Sequence, residues 1–207
     1  MKVMALTGGI GSGKTTVRNI FEKAGIVTLD VDAISRQLVA KKQPGLVKIV
    51  RCFGQQMLLA NGELDRAQLK RHIFSDPNAK RQLEAILHPM IRAETQRQLD
   101  QLAKKGCQLV LVEIPLLAET GKPDYIDQVI VLDLPTELQM ERVMARDHCS
   151  AETARQIIDQ QASRSERIAL ADYLIDTTQP LSEIEREVQQ LIAHLTQSDH
   201  DTFSNSN

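Results

Sequence analysis

A chain of 207 residues with 42% hydrophobic and 25% charged residues has the make-up of a soluble globular protein near the upper size of a single domain, with room for insertions. Aromatics are only 3% with no Trp, which excludes a single-strand nucleic-acid reader built on stacking, and a net charge of −2 does not describe a polyanion-binding surface, so no nucleic-acid partner is expected. Cys52, Cys107 and Cys149 are odd in number, widely spaced and lack a CxxC pair, so reduced thiols in a cytoplasmic protein are expected rather than a disulfide framework or zinc site. His148-Cys149 has no other Cys or His at ligand spacing and is rejected as a metal site.

The first apolar run, Val3-Met4-Ala5-Leu6-Thr7, is too short for a signal peptide or membrane span, so no membrane partner is expected; it reads as a buried strand ending in glycines. From Lys14 to Ala24 the pattern turns helical, with Val17, Ile20, Phe21 and Ala24 on one face and Gly25 as the stop. Ile26-Val27-Thr28-Leu29 is a second strand, closed by Asp30-Val31-Asp32, which completes a βαβ unit. Residues 33–104 are helical in period and broken at Pro44-Gly45, Asn61-Gly62, Asp76-Pro77 and His88-Pro89, as a helical insertion between core strands is.

Core strands resume at Leu109-Val110-Leu111-Val112 and Val129-Ile130-Val131-Leu132, both continuous apolar runs of the kind buried on two faces. Thr136 with Gln139 reads as a capping box opening a helix through Leu138, Arg142, Val143 and Arg146. A second helix is expected from Ser150 toward Arg167, then a weaker strand at Tyr173-Leu174-Ile175. A last helix opens on a Ser182/Glu185 capping box. The polar tail, 196–207, is expected to be disordered. Alternating strands and helices give an α/β fold with a parallel sheet of about five strands.

Gly8-Gly9-Ile10-Gly11-Ser12-Gly13-Lys14-Thr15-Thr16 satisfies G-x-x-x-x-G-K-[ST], and it follows an expected strand and opens an expected helix. The physical reason for the pattern is a backbone close enough to an anion for its N–H groups, from Gly11 through Ser12 and Gly13 to Thr16, to form a nest at a helix N-terminus. Lys14 brings a point charge to the β- and γ-phosphates, and the Thr15 hydroxyl suits Mg²⁺. A P-loop predicts nucleotide binding rather than a reaction. N-K-x-D and D-x-x-G motifs are absent from the sequence, which argues against a switch GTPase. Glu113 alone closes its strand, where a motor ATPase shows an Asp-Glu pair. A compact kinase remains, in which the insertion holds the acceptor and a basic helix pair closes over ATP.

Thr7-Gly8-Gly9-Ile10-Gly11-Ser12-Gly13-Lys14-Thr15, Asp30-Val31-Asp32-Ala33-Ile34-Ser35-Arg36, Leu87-His88-Pro89-Met90-Ile91, Pro115-Leu116-Leu117 and Gln161-Ala162-Ser163-Arg164, followed by Ala171-Asp172, together resemble the dephospho-coenzyme A kinase family over residues 2–176. The resemblance implies a P-loop NTPase fold with a core of residues 1–33, 105–135 and 168–195, a helical acceptor-binding insertion over 34–104 and a helical lid over 136–167. It implies ATP and dephospho-coenzyme A as substrates, Mg²⁺ as cofactor and phosphorylation of a ribose 3′-hydroxyl. Asp32 is then the base or the group orienting the hydroxyl; its plainer reading is an N-cap for the next helix. Capping or a solvated turn is expected of Asp30. Arg142 and Arg146 share a helix face and become phosphate-binding lid arginines, although a solvated charged face fits Arg146 equally. Arg164 and Arg167 are further lid positions. The resemblance places Thr7, Asp32, His88, Pro89 and Leu116 on the acceptor side, and Arg66 suits its diphosphate; for His88-Pro89 a helix-ending turn is the alternative. After Pro115-Leu116-Leu117 the family often has an aromatic or branched residue and Glu, where this chain has Ala118-Glu119; after the last strand it often has Asn with Gly nearby, where this chain has Asp176-Thr177-Thr178-Gln179-Pro180. A kinase of the same architecture acting on a nucleoside monophosphate or small alcohol, and an ATP-binding regulator without an acceptor, are the competing readings.

Overall fold

The structure is a computed structural model and describes residues 1–197. The described residues form two compact units, one made of Met1–Asp30 and the described chain from Leu102, the other of Val31–Gln101. The first unit carries five strands: β1 (Lys2–Gly8), β2 (Val27–Asp30), β3 (Leu109–Glu113), β4 (Gln128–Asp133) and β5 (Tyr173–Asp176). All pair in parallel in the order β2-β3-β1-β4-β5, with Leu6 opposite Glu113 on one side and Ile130 on the other. Strand order therefore reverses at β1, and the crevice past its C-terminal end is where open parallel sheets bind ligands.

One face of this sheet packs Met4, Leu6, Leu111, Ile130 and Leu132 against Val17, Ile20 and Phe21 of α1 (Lys14–Lys23). Ile184, Val188, Ile192 and Leu195 of the C-terminal helix (Leu181–Gln197) complete that layer. The alternate residues Ala5, Val110, Val112, Val129 and Val131 are also buried, which explains the unbroken apolar runs of β3 and β4. The second unit is helical, with α2 (Val31–Leu38), α3 (Pro44–Phe53), a 3₁₀ turn (Gln55–Met57), α4 (Arg66–Ser75) and most of α5 (Pro77–Lys104). Its own core joins Leu46, Ile49 and Phe53 to Met57, Leu69 and Leu83.

Four local expectations are corrected. His88-Pro89 does not end a helix: α5 runs through it, and Pro89 and Ala85 are both exposed, so water reaches the carbonyl that the proline ring leaves without an amide partner. Thr136 is the first residue of α7 (Thr136–Asp147) rather than its cap; Pro135 holds that place, and Gln139 Nε2 donates to Leu134 O at 2.8 Å. The helix expected from Ser150 toward Arg167 is two, α8 (Ala151–Asp159) and α9 (Arg164–Ile168). Ser163 and Glu166 form a capping box that starts α9 afresh. Ser182 lies inside the last helix, which begins at Leu181 after Pro180. That helix, α10, continues through Thr196 to Gln197, and the rest of the expected tail lies outside the described residues. The remaining helix, α6 (Leu117–Thr120), follows β3.

Phe21 is fully buried between α1 and the sheet. Phe21→Ala is expected to lower unfolding stability by about 3–5 kcal/mol in urea titration, with the urea slope unchanged.

Candidate functional site

The turn from β1 into α1 is shaped by contacts that leave no room for side chains. A Cβ on Gly8 would lie 2.7 Å from Ser12 Oγ and 2.8 Å from the Leu132 carbonyl oxygen, so β4 admits only glycine there. Gly13 caps α1 with φ 83°, a left-handed conformation that glycine adopts without penalty. Ser12 N–H donates to Gly9 O at 3.2 Å, and the first helical bond runs from Val17 N–H to Gly13 O at 3.1 Å. The amides of the first turn of α1 lie ahead of that bond, with no partner from within the helix and with the helix dipole behind them, which is the arrangement that binds anions. Lys14 arches back over the loop, its Nζ donating to Gly8 O at 2.8 Å and Gly9 O at 3.1 Å. Thr15 and Thr16 are exposed in the first turn, and Ser12 is buried beneath it.

Beside this turn lies a hollow of about 290 Å³. Ser12, Gly13 and Thr16 border it on the loop side, Val17, Leu181 and Ile184 give it an apolar wall, and Arg142, Thr177 and Gln179 close it. Arg142 is held in place: Nη1 donates to Gly11 O at 3.2 Å and Nη2 to Thr177 O at 2.8 Å. Thr177 is buried, and its hydroxyl donates to Asp133 O at 2.9 Å, so the end of β4 sets where Arg142 is received. Arg146 does not join Arg142; it forms a two-pronged pair with its neighbour Asp147 at 2.7 and 2.8 Å.

Arg164 and Arg167 serve the opposite flank. Arg164 grips Asp133 with two hydrogen bonds of 2.7 and 2.6 Å, and this guanidinium holds the Asp133 carboxyl below its usual range. Arg167 is buried, which lowers its guanidinium pKa from the ordinary value while the charges of Glu119 and Asp133 oppose the shift. At the other edge, Arg18 Nη1 donates to Glu113 Oε2 at 2.9 Å and Asp30 Oδ2 at 3.4 Å, so Asp30 is part of an ion pair rather than a solvated turn. Thr7 is buried on β1, its hydroxyl 3.5 Å from Pro115 O, and Leu116 is 47% exposed at the start of α6.

The remaining sequence-derived residues lie in the helical unit. Asp32 is exposed in the first turn of α2, inside the helix, so it is not the N-cap. Arg66 is the exposed first residue of α4, whose cap is Asp65. His88 and Pro89 border a second hollow of about 370 Å³ with Glu84, Ala85 and Arg92. Arg92, one turn after His88, was readable from the i,i+4 spacing but was not singled out; Arg66 and Asp32 do not line this hollow. Arg18 also escaped the sequence reading, and Gln161 entered it only as part of a family element, since Glu113 and Ile10, their partners, lie far along the chain.

Among the described residues no group of three or more His, Cys, Asp or Glu could hold a metal by itself. A hard oxygen donor, Thr15, beside a phosphate-binding turn does suit Mg²⁺, which keeps waters and takes phosphate oxygens as ligands.

A family model described as dephospho-CoA kinase matches residues 2–183. A dephospho-CoA kinase of Hydrogenovibrio crunogenus is 55% identical over 192 residues, covering 93% of this chain and 97% of that protein. Among solved structures, a Thermus thermophilus protein, TT1252, aligns with a TM-score of 0.80 at 31% identity over 94% of this chain and 97% of its own. A dephospho-CoA kinase from Campylobacter jejuni aligns with a TM-score of 0.74 at 30% identity over 96% of this chain and 100% of its own.

The depressed Asp133 pKa gives a pH signature. Stability contributed by this carboxylate is complete above its unfolded value near 3.8 and is lost as pH falls through the lower folded value. In urea titrations from pH 7 to pH 2, the stability gap between the wild type and Asp133→Asn should stay constant down to about pH 5 and close below pH 4.

Proposed function

The chain belongs to the dephospho-CoA kinase family, and we propose that it transfers the γ-phosphoryl group of ATP to the ribose 3′-hydroxyl of dephospho-coenzyme A, the last step of coenzyme A synthesis. The observation that carries the nucleotide half of this reading is the glycine turn at the strand-order reversal, with Lys14 over it and Arg142 hydrogen-bonded to its Gly11 carbonyl. The triphosphate lies along the amides of Gly11–Thr16, and the base enters the adjoining hollow against Val17, Leu181 and Ile184. Lys14 exchanges its carbonyl partners for phosphate oxygens. Arg142, already fixed at two points, meets charge that spreads over the phosphoryl oxygens at the transition state without having to be ordered at that moment. Thr15 would hold Mg²⁺, which neutralises phosphate charge when it arrives with ATP.

Asp32 receives the proton of the attacking hydroxyl. It is an exposed carboxylate in the first turn of α2, two residues beyond the end of β2. Arg66, His88, Pro89, Thr7 and Leu116 are assigned to the acceptor, with Arg66 suited to a diphosphate by its forked donors and His88 joined at its hollow by Arg92. Arg146, bound up with Asp147, has the weaker claim on ATP. Residues 34–104 act as the acceptor-binding insertion and 136–167 as the lid. Three free thiols support a cytoplasmic setting. Family membership does not favour a nucleoside monophosphate acceptor.

The test is turnover of purified protein with Mg-ATP against a panel of dephospho-coenzyme A, nucleoside monophosphates and small alcohols. ADP release dependent on dephospho-coenzyme A is expected; release driven only by another acceptor would contradict the assignment. Asp32→Asn should cut kcat by about 10²–10⁴-fold while ATP affinity stays at the wild-type value. Unchanged turnover removes Asp32 from the mechanism. Lys14→Met should instead weaken ATP binding and lower kcat together, read by titration calorimetry and steady-state kinetics.

A further inference from the structure

The connection between α8 and α9 meets the outer side of the phosphate-binding turn. Gln161 Oε1 accepts a hydrogen bond from the Ile10 N–H at 2.8 Å, across 151 positions of sequence. Ala162, the next residue, is tied at both its backbone groups: its N–H donates to Glu119 Oε1 at 2.8 Å, and its carbonyl accepts from Arg167 Nη1. Ser163 then caps α9, and Arg164 is clamped to Asp133. Gln161 therefore projects from a stretch of backbone that is fixed independently of the nucleotide. Gly9 lies against the same group of side chains; a Cβ there would come within 2.8 Å of Gln139 Oε1 and 2.9 Å of an Arg167 Nη2.

This arrangement meets a difficulty that glycine-rich turns carry. Their freedom lets the backbone approach an anion, but that freedom must be given up when the anion binds, and affinity falls accordingly. An amide held from outside is ordered beforehand. An Ile10 N–H directed at Gln161 is also withdrawn from the phosphate side, so the donors aimed at the anion begin at Gly11.

We propose that Gln161 is a positioning residue for phosphoryl transfer: it holds the Gly9–Gly11 arch, through the Ile10 amide, in the shape that binds the ATP triphosphate. The proposal rests on the reading of Gly8–Thr15 as the ATP site. It also gives a task to the first position of Gln161-Ala162-Ser163-Arg164 and to Glu119, which anchors the segment.

Gln161→Met keeps the length of the side chain and removes the acceptor. Calorimetric titration with Mg-ATP, amide hydrogen exchange by NMR and thermal melting are measured on wild type, Gln161→Met and Gln161→Glu. The expected result for Gln161→Met is a rise in the ATP Kd of about three- to tenfold, the worth of one hydrogen bond, with loss of protection at the Ile10 amide. The melting temperature should fall by no more than a few degrees, and the KM for dephospho-coenzyme A should not move. Gln161→Glu, whose carboxylate accepts the same proton, should keep the Ile10 amide protected, and this readout carries the test if the Met variant does not fold. Wild-type ATP affinity in Gln161→Met, unchanged Ile10 protection in Gln161→Met, or lost protection in Gln161→Glu each overturns the proposal. So does a larger fall in melting temperature with both substrates affected alike, which marks a merely structural role. Failure of the wild type to bind ATP would instead remove the phosphate-site reading, and this inference with it.

Discussion

The close approach of β1 to β4 at Gly8 and Leu132 governs the nucleotide end of the molecule. Because no side chain fits between Gly8 and the Leu132 carbonyl, the chain must leave the sheet as bare backbone at the point where strand order reverses. Bare backbone at a helix N-terminus presents amides, and amides without intrahelical partners attract anions. The apolar packing of α1 through Val17, Ile20 and Phe21 fixes the direction of that helix against the sheet. Core packing thus aims the anion site, and the glycines make it reachable.

A second layer of order comes from arginines at the C-terminal ends of the strands. Carboxylates stand at the ends of β2, β3 and β4 as Asp30, Glu113 and Asp133. Left unneutralised, they would repel a triphosphate arriving in the same crevice. Arg18 meets the first two and Arg164 the third. Arg142 is different, since its partners are the carbonyls of Gly11 and Thr177. Among the described residues no carboxylate is paired with it there, whereas Arg146 is engaged by the carboxylate of Asp147, which holds its guanidinium firmly protonated.

Much of this was legible in the chain because the signals are local. Continuous apolar runs mark β3 and β4, buried on both faces, and the glycine spacing with Lys14 identifies the anion site without knowledge of the sheet order. Caps were less legible, since the S/T-x-x-E/Q pattern is common while the geometry is selective. Thr136 and Ser182 carry the pattern but lie within helices, whereas Ser163 and Glu166 make the real box and divide what reads as one helix. Pro89 misled for a related reason: a proline on the solvent face of a long helix costs one hydrogen bond that water replaces, and the helix goes on. Partners separated by a hundred residues or more, such as Ile10 with Gln161 or Arg18 with Glu113, leave no periodic trace and emerge only from the fold.

The backbone builds the phosphate-binding turn and the family relationship assigns the acceptor, and the two meet in the destination of the phosphoryl group. The most direct measurement is ³¹P–¹H correlation NMR of the product isolated after turnover with Mg-ATP and dephospho-coenzyme A. A new phosphorus resonance coupled to the ribose H3′ proton is the predicted result. A phosphate on any other oxygen, or γ-phosphate released to water with the acceptor unaltered, would contradict it.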